Sequence, residues 1–359
     1  MSKSIDILLS PNCNLSCRYC YQRKDVPDNA SSKDFHKQKG AAASIELIDK
    51  FISFVVQNEV RMVNFYGGEP LLQWPYIEYI VNEISKRNKD ARFMTVTNGT
   101  LFDENKLNFI EGHNFNIILS LDGAKSRHDK FRGGFTNIQR YLSRLSSLGS
   151  RVEVNIQVAE VSGLYEEAIR YVWSQGLRVV NLNLIEDYGW YQCDDLKAFE
   201  EEYEKALEGM LREDGIVKDS LKIYADLKEP SFKKQCGITD RGLAMDWHGD
   251  FYPCLKGYEL GKEYSIGNID SGVNVEREET ARSRAGVGYT SESSQSHPLV
   301  AYCPVETFKK HGTFDGLWNE YFCKMMEIKT KLVAKLYYEI HGYLLKHKGD
   351  PYLIDWTEE

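Results

Sequence analysis

Cys13, Cys17 and Cys20 lie in the segment Pro11-Asn12-Cys13-Asn14-Leu15-Ser16-Cys17-Arg18-Tyr19-Cys20-Tyr21, a C-x3-C-x2-C spacing. Thiolates are the standard ligands of iron–sulfur clusters. A loop this tight can wrap three corners of a cubane and leaves the fourth iron without a local cysteine. An open iron is what a substrate-binding cluster needs. Zinc is the competing reading, but structural zinc sites prefer closed four-coordination, often from paired C-x2-C units, and no fourth ligand stands nearby. Three unrelated cysteines are the other alternative. A second motif weighs against it: Tyr66-Gly67-Gly68-Glu69-Pro70 follows the next strand-like run. Glycines let a backbone approach a ligand closely, and Glu69 supplies a counter-charge. An ordinary turn accounts for Gly-Gly alone, not for Gly-Gly-Glu-Pro in this place.

These motifs need a scaffold, and the hydrophobic pattern supplies one. Ile5 to Leu9, Met62 to Tyr66, Phe93 to Thr97, Ile117 to Leu121, Val152 to Val158 and Val179 to Ile185 read as six strands. Between them, helical periodicity recurs at Ile48, Phe51, Ile52 and Val55, then at Ile77, Ile80, Val81 and Ile84, with Pro75 at a helix start. Lys106 to Ile110, Ile138 to Leu145 and Tyr165 to Trp173 continue the series. Strands alternating with helices imply parallel β/α units. In such folds chemistry gathers at the C-terminal strand ends. Pro11 to Cys20, Gly67 to Pro70, Thr97 to Gly99 and Ser120 to Gly123 all sit there.

The cysteine loop after a first strand, with Tyr19 before its last cysteine, resembles the radical S-adenosylmethionine (SAM) superfamily. The resemblance covers most of residues 5 to 185. It implies an α/β fold, a partial (β/α)6 barrel, with a 4Fe–4S cluster on Cys13, Cys17 and Cys20. In that family the open iron chelates SAM, and reductive cleavage yields a radical that abstracts a hydrogen atom from substrate. It implies that Tyr19 flanks the adenine and that Gly67, Gly68, Glu69 and Pro70 bind the methionine ammonium. Asn98 in Thr97-Asn98-Gly99, and Ser120 and Asp122 in Ser120-Leu121-Asp122-Gly123, resemble ribose and carboxylate contacts. Arg132, in His128-Asp129-Lys130-Phe131-Arg132, resembles a carboxylate-binding arginine. Asn155 or Gln157, and Leu184, are further SAM-facing positions by the same resemblance.

Five more cysteines lie in the C-terminal half: Cys193, Cys236, Cys254, Cys303 and Cys323. Cys236 is followed by twelve residues, Gly249, four residues and Cys254. This resembles the C-x9–15-G-x4-C opening of SPASM and twitch extensions, which carry auxiliary 4Fe–4S clusters. Ile266-Gly267-Asn268-Ile269 resembles the segment after that hairpin. If Cys303 is the last of the next four SPASM cysteines, the other three fall on Thr290, Ser293 and Leu299, and Cys323 matches the final one. The pattern implies one auxiliary cluster on Cys236, Cys254 and Cys303, with the second lost. Ordinary buried cysteines are the plainer alternative. The chain accordingly divides into a radical SAM region at 1–190, a helical linker at 191–235, and a degenerate SPASM or twitch-like region at 236–359 with C-terminal helices. Residues 195 to 212 and 315 to 347 read as helical, 271 to 297 as a surface loop, and His248-Gly249-Asp250 as a turn.

Composition excludes several classes. Of 359 residues, 42% are hydrophobic, ample for a core, yet the apolar runs fall short of the ~20 residues a membrane span needs. Net charge is -8 with both signs interspersed, which argues against nucleic acid as partner. Met1 to Asp6 lacks a cationic stretch followed by an apolar region, so the cytoplasm is expected. In that reducing compartment eight cysteines suggest metal or catalysis rather than disulfides.

SPASM and twitch relatives mostly modify peptides or proteins. The resemblance therefore implies a maturase that cross-links a ribosomally made precursor peptide, fed electrons by a reductant such as flavodoxin or ferredoxin. With strand one beginning near Ile5, leader recognition is expected from a separate protein or from the C-terminal region. Cys193, just past the sixth strand, could instead quench a substrate radical, as an epimerase requires; a loop cysteine is the bland reading. Sulfatase maturases share the His-Asp-Lys-Phe-Arg region but carry a catalytic aspartate after the cysteine matching Cys254, where this chain has Leu255.

Overall fold

A computed structural model describes residues 4–20, 22, 42–186, 190–212, 215–228, 243–287, 305 and 320–353. The chain forms two compact units, Met1–Ile118 with Lys234–Glu292 and Tyr302–Gly316, and Leu119–Lys233 with Ser293–Ala301 and Leu317–Glu359. Their borders do not coincide with the three regions read from the motifs.

In the first unit, β1 (Ser4–Leu8), β2 (Met62–Tyr66) and β3 (Arg92–Thr97) pair in parallel, with Asp6 opposite Asn64 and Asn64 opposite Met94. Alternation decides the faces. Ile5, Ile7, Val63, Phe65 and Phe93 are buried, and Phe65, Phe93 and Phe115 form a ring cluster with centroids 5.8–6.4 Å apart. Helix α1 (Ile45–Gln57) begins where Ser44 accepts the Leu47 N–H, and it buries Ile48, Phe51, Ile52 and Val55. Helix α2 (Trp74–Arg87), with Pro75 in its first turn, buries Ile77, Ile80, Val81 and Ile84. Helix α3 (Glu104–Gly112) is capped by Asp103, and β4 (Phe115–Ser120) carries the chain into the second unit.

The first unit also recruits the region after residue 242. β8 (Ala244–Met245) pairs in parallel with β1, and β9 (Asp250–Tyr252), β10 (Gly267–Asn268) and β11 (Gly272–Val273) follow as antiparallel strands. Gly249 makes the β8–β9 turn at φ +85°, a conformation that L side chains rarely adopt.

In the second unit β5 (Val152–Gln157), β6 (Val179–Asn183) and β7 (Ile216–Val217) are parallel. The reading of one helix over 138–145 is corrected to two short ones, α5 (Phe135–Gln139) and α6 (Leu142–Ser147), after α4 (Lys125–Phe131). The segment from Leu164 to Arg170 is π-helical. Helix α7 (Cys193–Arg212) buries Phe199, Tyr203, Leu207 and Met210, and α8 (Lys218–Lys228) follows β7. The expected loop at 271–297 is in part a helix, α9 (Val275–Val287), in the first unit. Its Glu, Arg and Ala residues are good helix formers, and Glu276 and Glu278 favour its N-terminal dipole. The helical reading of 315–347 holds from residue 320 on, as α10 (Glu320–Lys335) and α11 (Tyr337–Lys346), both in the second unit, while 315–319 lie outside the described residues. Among the described residues no helix is long and apolar enough to cross a membrane.

Candidate radical SAM site

The first unit builds the cysteine loop at the C-terminal end of β1, and Cys13, Cys17, Tyr19 and Cys20 are all half-buried. The loop is tied to itself: Cys20 N–H reaches the Cys17 carbonyl at 3.2 Å, and Leu15 N–H points at Cys13 Sγ at 3.4 Å. It is also seated on the next strand end. Gly68 N–H donates to the Ser10 carbonyl at 3.0 Å and Glu69 N–H to the Asn12 carbonyl at 2.7 Å. Gln22 Nε2 closes the other side on the Gly67 carbonyl at 3.3 Å.

This contact explains both glycines. A Cβ on Gly68 would lie 2.2 Å from the Asn12 carbonyl oxygen, and one on Gly67 would lie 2.4 Å from that of Ser10. The close approach that Gly-Gly permits is therefore of backbone to backbone, holding the cysteine loop. Glu69 is 1% exposed. Its Oε1 accepts Leu71 N–H at 3.1 Å and Thr97 Oγ1–H at 2.6 Å, and its Oε2 accepts Asn98 N–H at 2.8 Å. Pro70, also buried, opens the short helical turn that Glu69 caps. Asn98 donates from Nδ2 to Asn14 Oδ1 at 2.9 Å and toward Cys13 Sγ at 3.9 Å.

The three thiols fit an iron–sulfur cluster. They share one loop, and N–H donors already point at one sulfur, as thiolate ligands require. Among the described residues no three ligating side chains converge as they would on a single ion. A four-iron cluster bonds one thiolate per iron, so its ligands stand further apart than that.

The second unit holds the other expected SAM contacts, at strand ends except for Arg132, which caps the C-terminus of α4. Ser120 ends β4 and is 9% exposed, Gln157 ends β5 half-buried, and Leu184 follows β6, buried. Asp122 and Arg132 are brought together: Arg132 Nε lies 3.3 Å from Asp122 Oδ2 and Nη2 lies 3.4 Å from Oδ1. Asp122 Oδ1 also accepts Gln157 N–H at 3.0 Å, a tie to this pair that runs through the Gln157 backbone. His128, which the motif reading passed over, locks the group. Its Nδ1 accepts Asp122 N–H at 3.2 Å, so Nε2 carries the proton and donates to the Gly133 carbonyl at 3.0 Å. Burial, then the Arg132 charge, pushes its pKa down to about 4.

Cys193 is exposed at the first position of α7. It follows an anchored pair: Trp190 Nε1–H donates to the Ala159 carbonyl at 3.1 Å, and Tyr191 Oη donates to that of Val158 and accepts Ile185 N–H, each at 2.8 Å. Cys254 follows β9. That strand runs antiparallel to β8, itself parallel to β1, so Cys254 returns toward the N-terminal end of β1, opposite to the Cys13–Cys20 end. The five residues of β1 span roughly 13 Å at ~3.3 Å per step, so the two cysteine regions are separate. Cys323 is buried on α10. Cys236 and Cys303 lie outside the described residues.

Other residues went unread. Asn14, Thr97 and Thr100 join the Asn98 network, and Asp6 is a lone carboxylate in an apolar strand, bonded by Asn64 Nδ2 at 2.8 Å. Burial pushes the Asp6 pKa up to about 6. The polar interruption in Ile5-Asp6-Ile7 was the available signal.

Comparison with known proteins agrees with this geometry. Residues 7–183 match the model of the radical SAM superfamily. The chain is 32% identical over 169 residues to a cysteine-type anaerobic sulfatase-maturating enzyme of Clostridium novyi, covering 43% of each chain. It is 26% identical over 272 residues to the antilisterial bacteriocin subtilosin biosynthesis protein AlbA of Bacillus subtilis, covering 73% of this chain and 56% of that one. The chain thus spans about half the length of these curated relatives. Its fold is similar to that of native anSMEcpe with bound AdoMet and Cp18Cys peptide, with TM-score 0.71, 17% identity, and 94% and 98% of the two chains covered. The chain carries a radical SAM domain over residues 7–183.

Proposed function

We propose that this protein is a radical SAM maturase that abstracts a hydrogen atom from a ribosomally made peptide and installs a cross-link, as thioether, ether or C–C bond. The observation that carries the radical SAM reading is the seating of the Cys13–Cys20 loop on Gly67, Gly68 and Glu69. Cys13, Cys17 and Cys20 would hold a 4Fe–4S cluster. When bound, the cluster supplies the electron that cleaves SAM. The proposed SAM contacts are Tyr19 and Gly67 to Pro70 in the first unit, and Ser120, Asp122, Arg132, Gln157 and Leu184 in the second. His128 and Asp122 keep the Arg132 guanidinium oriented. Cys236, Cys254 and Cys303 are proposed to hold one auxiliary 4Fe–4S cluster, suited to taking the second electron that bond formation releases. The peptide role is supported by the sulfatase-maturating and subtilosin relatives. A flavodoxin or ferredoxin is the proposed reductant, with a separate protein or the C-terminal region recognising the leader.

The first test uses SAM alone. Anaerobically reconstituted protein reduced with dithionite should release 5′-deoxyadenosine, and Cys13→Ala, Cys17→Ala and Cys20→Ala should each abolish it. Wild-type protein that holds a cluster but leaves SAM intact would refute the reading. Co-expression with short peptides encoded beside its gene then tests the bond. A cross-link makes the peptide two hydrogens lighter and survives Cys193→Ala. Unchanged composition with one solvent deuteron at carbon, lost in Cys193→Ala, would instead establish an epimerase.

A further inference from the structure

Asn98 sits at the C-terminal end of β3, 6% exposed, with its side-chain amide fixed at both ends. Oδ1 accepts Thr100 N–H at 3.0 Å and Thr100 Oγ1–H at 2.6 Å. Nδ2 donates to Asn14 Oδ1 at 2.9 Å, and Asn14 Nδ2 donates in turn to Thr100 Oγ1 at 2.8 Å. The three side chains close a ring. A flipped amide would set its N–H groups against Thr100 N–H, so the orientation is determined. The residue's own backbone is held by Glu69 Oε2. What this ring aims is the Asn98 Nδ2 group, and Cys13 Sγ lies 3.9 Å from it. Leu15 N–H approaches the same sulfur at 3.4 Å.

We infer that Asn98 is a positioning residue that donates to the Cys13 thiolate and raises the reduction potential of the cluster held there. This rests on the cluster reading above. Reduction adds negative charge to the cluster and its thiolates, and hydrogen bonds to the sulfurs are one of the levers that set the potential. A donor on Cys13 stabilises the reduced form more than the oxidised one. Asn14 and Thr100 act at one remove, by keeping the amide from turning away. The same geometry makes Asn98 part of the cluster's surroundings rather than a contact to SAM, which its motif alone suggested.

The test is an EPR-monitored redox titration of the anaerobically reconstituted protein, following the cluster whose spectrum changes when SAM is added. Iron content and SAM dissociation constant are measured beside it. Asn98→Ala should load iron as wild type does, shift the midpoint to a more negative potential, and bind SAM within about twofold of wild type. Asn98→Asp sets a carboxylate oxygen against the thiolate and should shift it further in the same direction. Asn14→Ala, at an exposed position, should give a smaller shift of the same sign. An unchanged midpoint in iron-loaded Asn98→Ala overturns the inference. So does a tenfold loss of SAM affinity with the midpoint unmoved, which returns Asn98 to the SAM site. If Asn98→Ala fails to load iron, the Asn14→Ala midpoint decides, and no shift there overturns the inference. Wild-type protein that assembles no SAM-responsive cluster refutes the underlying reading instead.

Discussion

The carboxylate of Glu69 accepts the backbone N–H of Asn98 at 2.8 Å, pinning the end of β2 to the end of β3. With Leu71 N–H and Thr97 Oγ1–H on its other oxygen, the carboxylate meets three donors while nearly fully buried. Glutamine at this position has one acceptor oxygen, and its amide N–H group would face a donor. Hydrogen bonds to charged groups contribute ~1.5–3 kcal/mol, and a buried unmatched donor costs a similar amount. Glu69→Gln should therefore lower stability by about 2–3 kcal/mol in chemical denaturation and reduce iron loading. Normal stability and loading with weakened SAM binding would show that Glu69 serves the ligand directly.

Gly68→Ala tests the seating itself. The added methyl would meet Asn12 and Pro11 backbone atoms at 2.2–2.4 Å, none of them able to swing aside. The cysteine loop must move, so reconstituted Gly68→Ala should lose most of the iron of the N-terminal cluster. Gly342→Ala is the control. It lies within α11 with nothing inside 4 Å of the new methyl, and should be neutral or stabilising by up to ~1 kcal/mol. Equal iron content in the two variants would sink the argument.

Much of this was legible in the sequence because two local codes are strong. Period-two and helical alternation located β1 to β6, and the cysteine spacing and Gly-Gly-Glu-Pro pointed to the radical SAM domain that residues 7–183 match. What motifs could not reveal is which partner a side chain meets. Glu69 reads as a counter-charge until Thr97 and Asn98, about thirty residues on, are found beside it. His128 heads the His-Asp-Lys-Phe-Arg segment, yet that segment does not reveal its role, which depends on the Asp122 N–H and the Gly133 carbonyl that a turn brings to opposite sides of its ring. Helix α9 was misread because polar composition resembles a loop when no apolar stripe marks a buried face.

Lys329 offers a stability test in the second unit. It is 2% exposed, donates to the Leu182 carbonyl at 2.9 Å and pairs with Asp219 at 2.8 Å. Asp219 also accepts Tyr203 Oη–H and Leu182 N–H. Removing one partner of a buried pair leaves the other charge uncompensated, at ~3–5 kcal/mol. Lys329→Met should show that loss, and adding Asp219→Asn should recover part of it. If the double variant is as unstable as the sum of the single ones, the two side chains are not coupled.

Asp6 and His128 give opposite pH signatures. The folded Asp6 pKa of about 6 lies above its ordinary 3.8, so the folded state binds more protons between these values. Its stability contribution is fully present below about pH 4 and is lost as pH rises through about 6. His128, at about 4 against an ordinary 6.5, binds fewer protons when folded, so its contribution is lost as pH falls from about 6.5 to 4. At 1.36 kcal/mol per pKa unit each effect amounts to about 3 kcal/mol. Between about pH 4 and 6 they oppose, which flattens the wild-type dependence. Asp6→Asn keeps an acceptor for Asn64 Nδ2 but removes one of the two. The variant should match wild type near pH 4, gain on it as pH rises, and exceed it by up to about 3 kcal/mol at pH 7. Denaturation at pH 4, 5, 6 and 7 measures that difference. A gap between the two proteins that stays constant with pH would show that the Asp6 carboxyl is not held protonated by the fold.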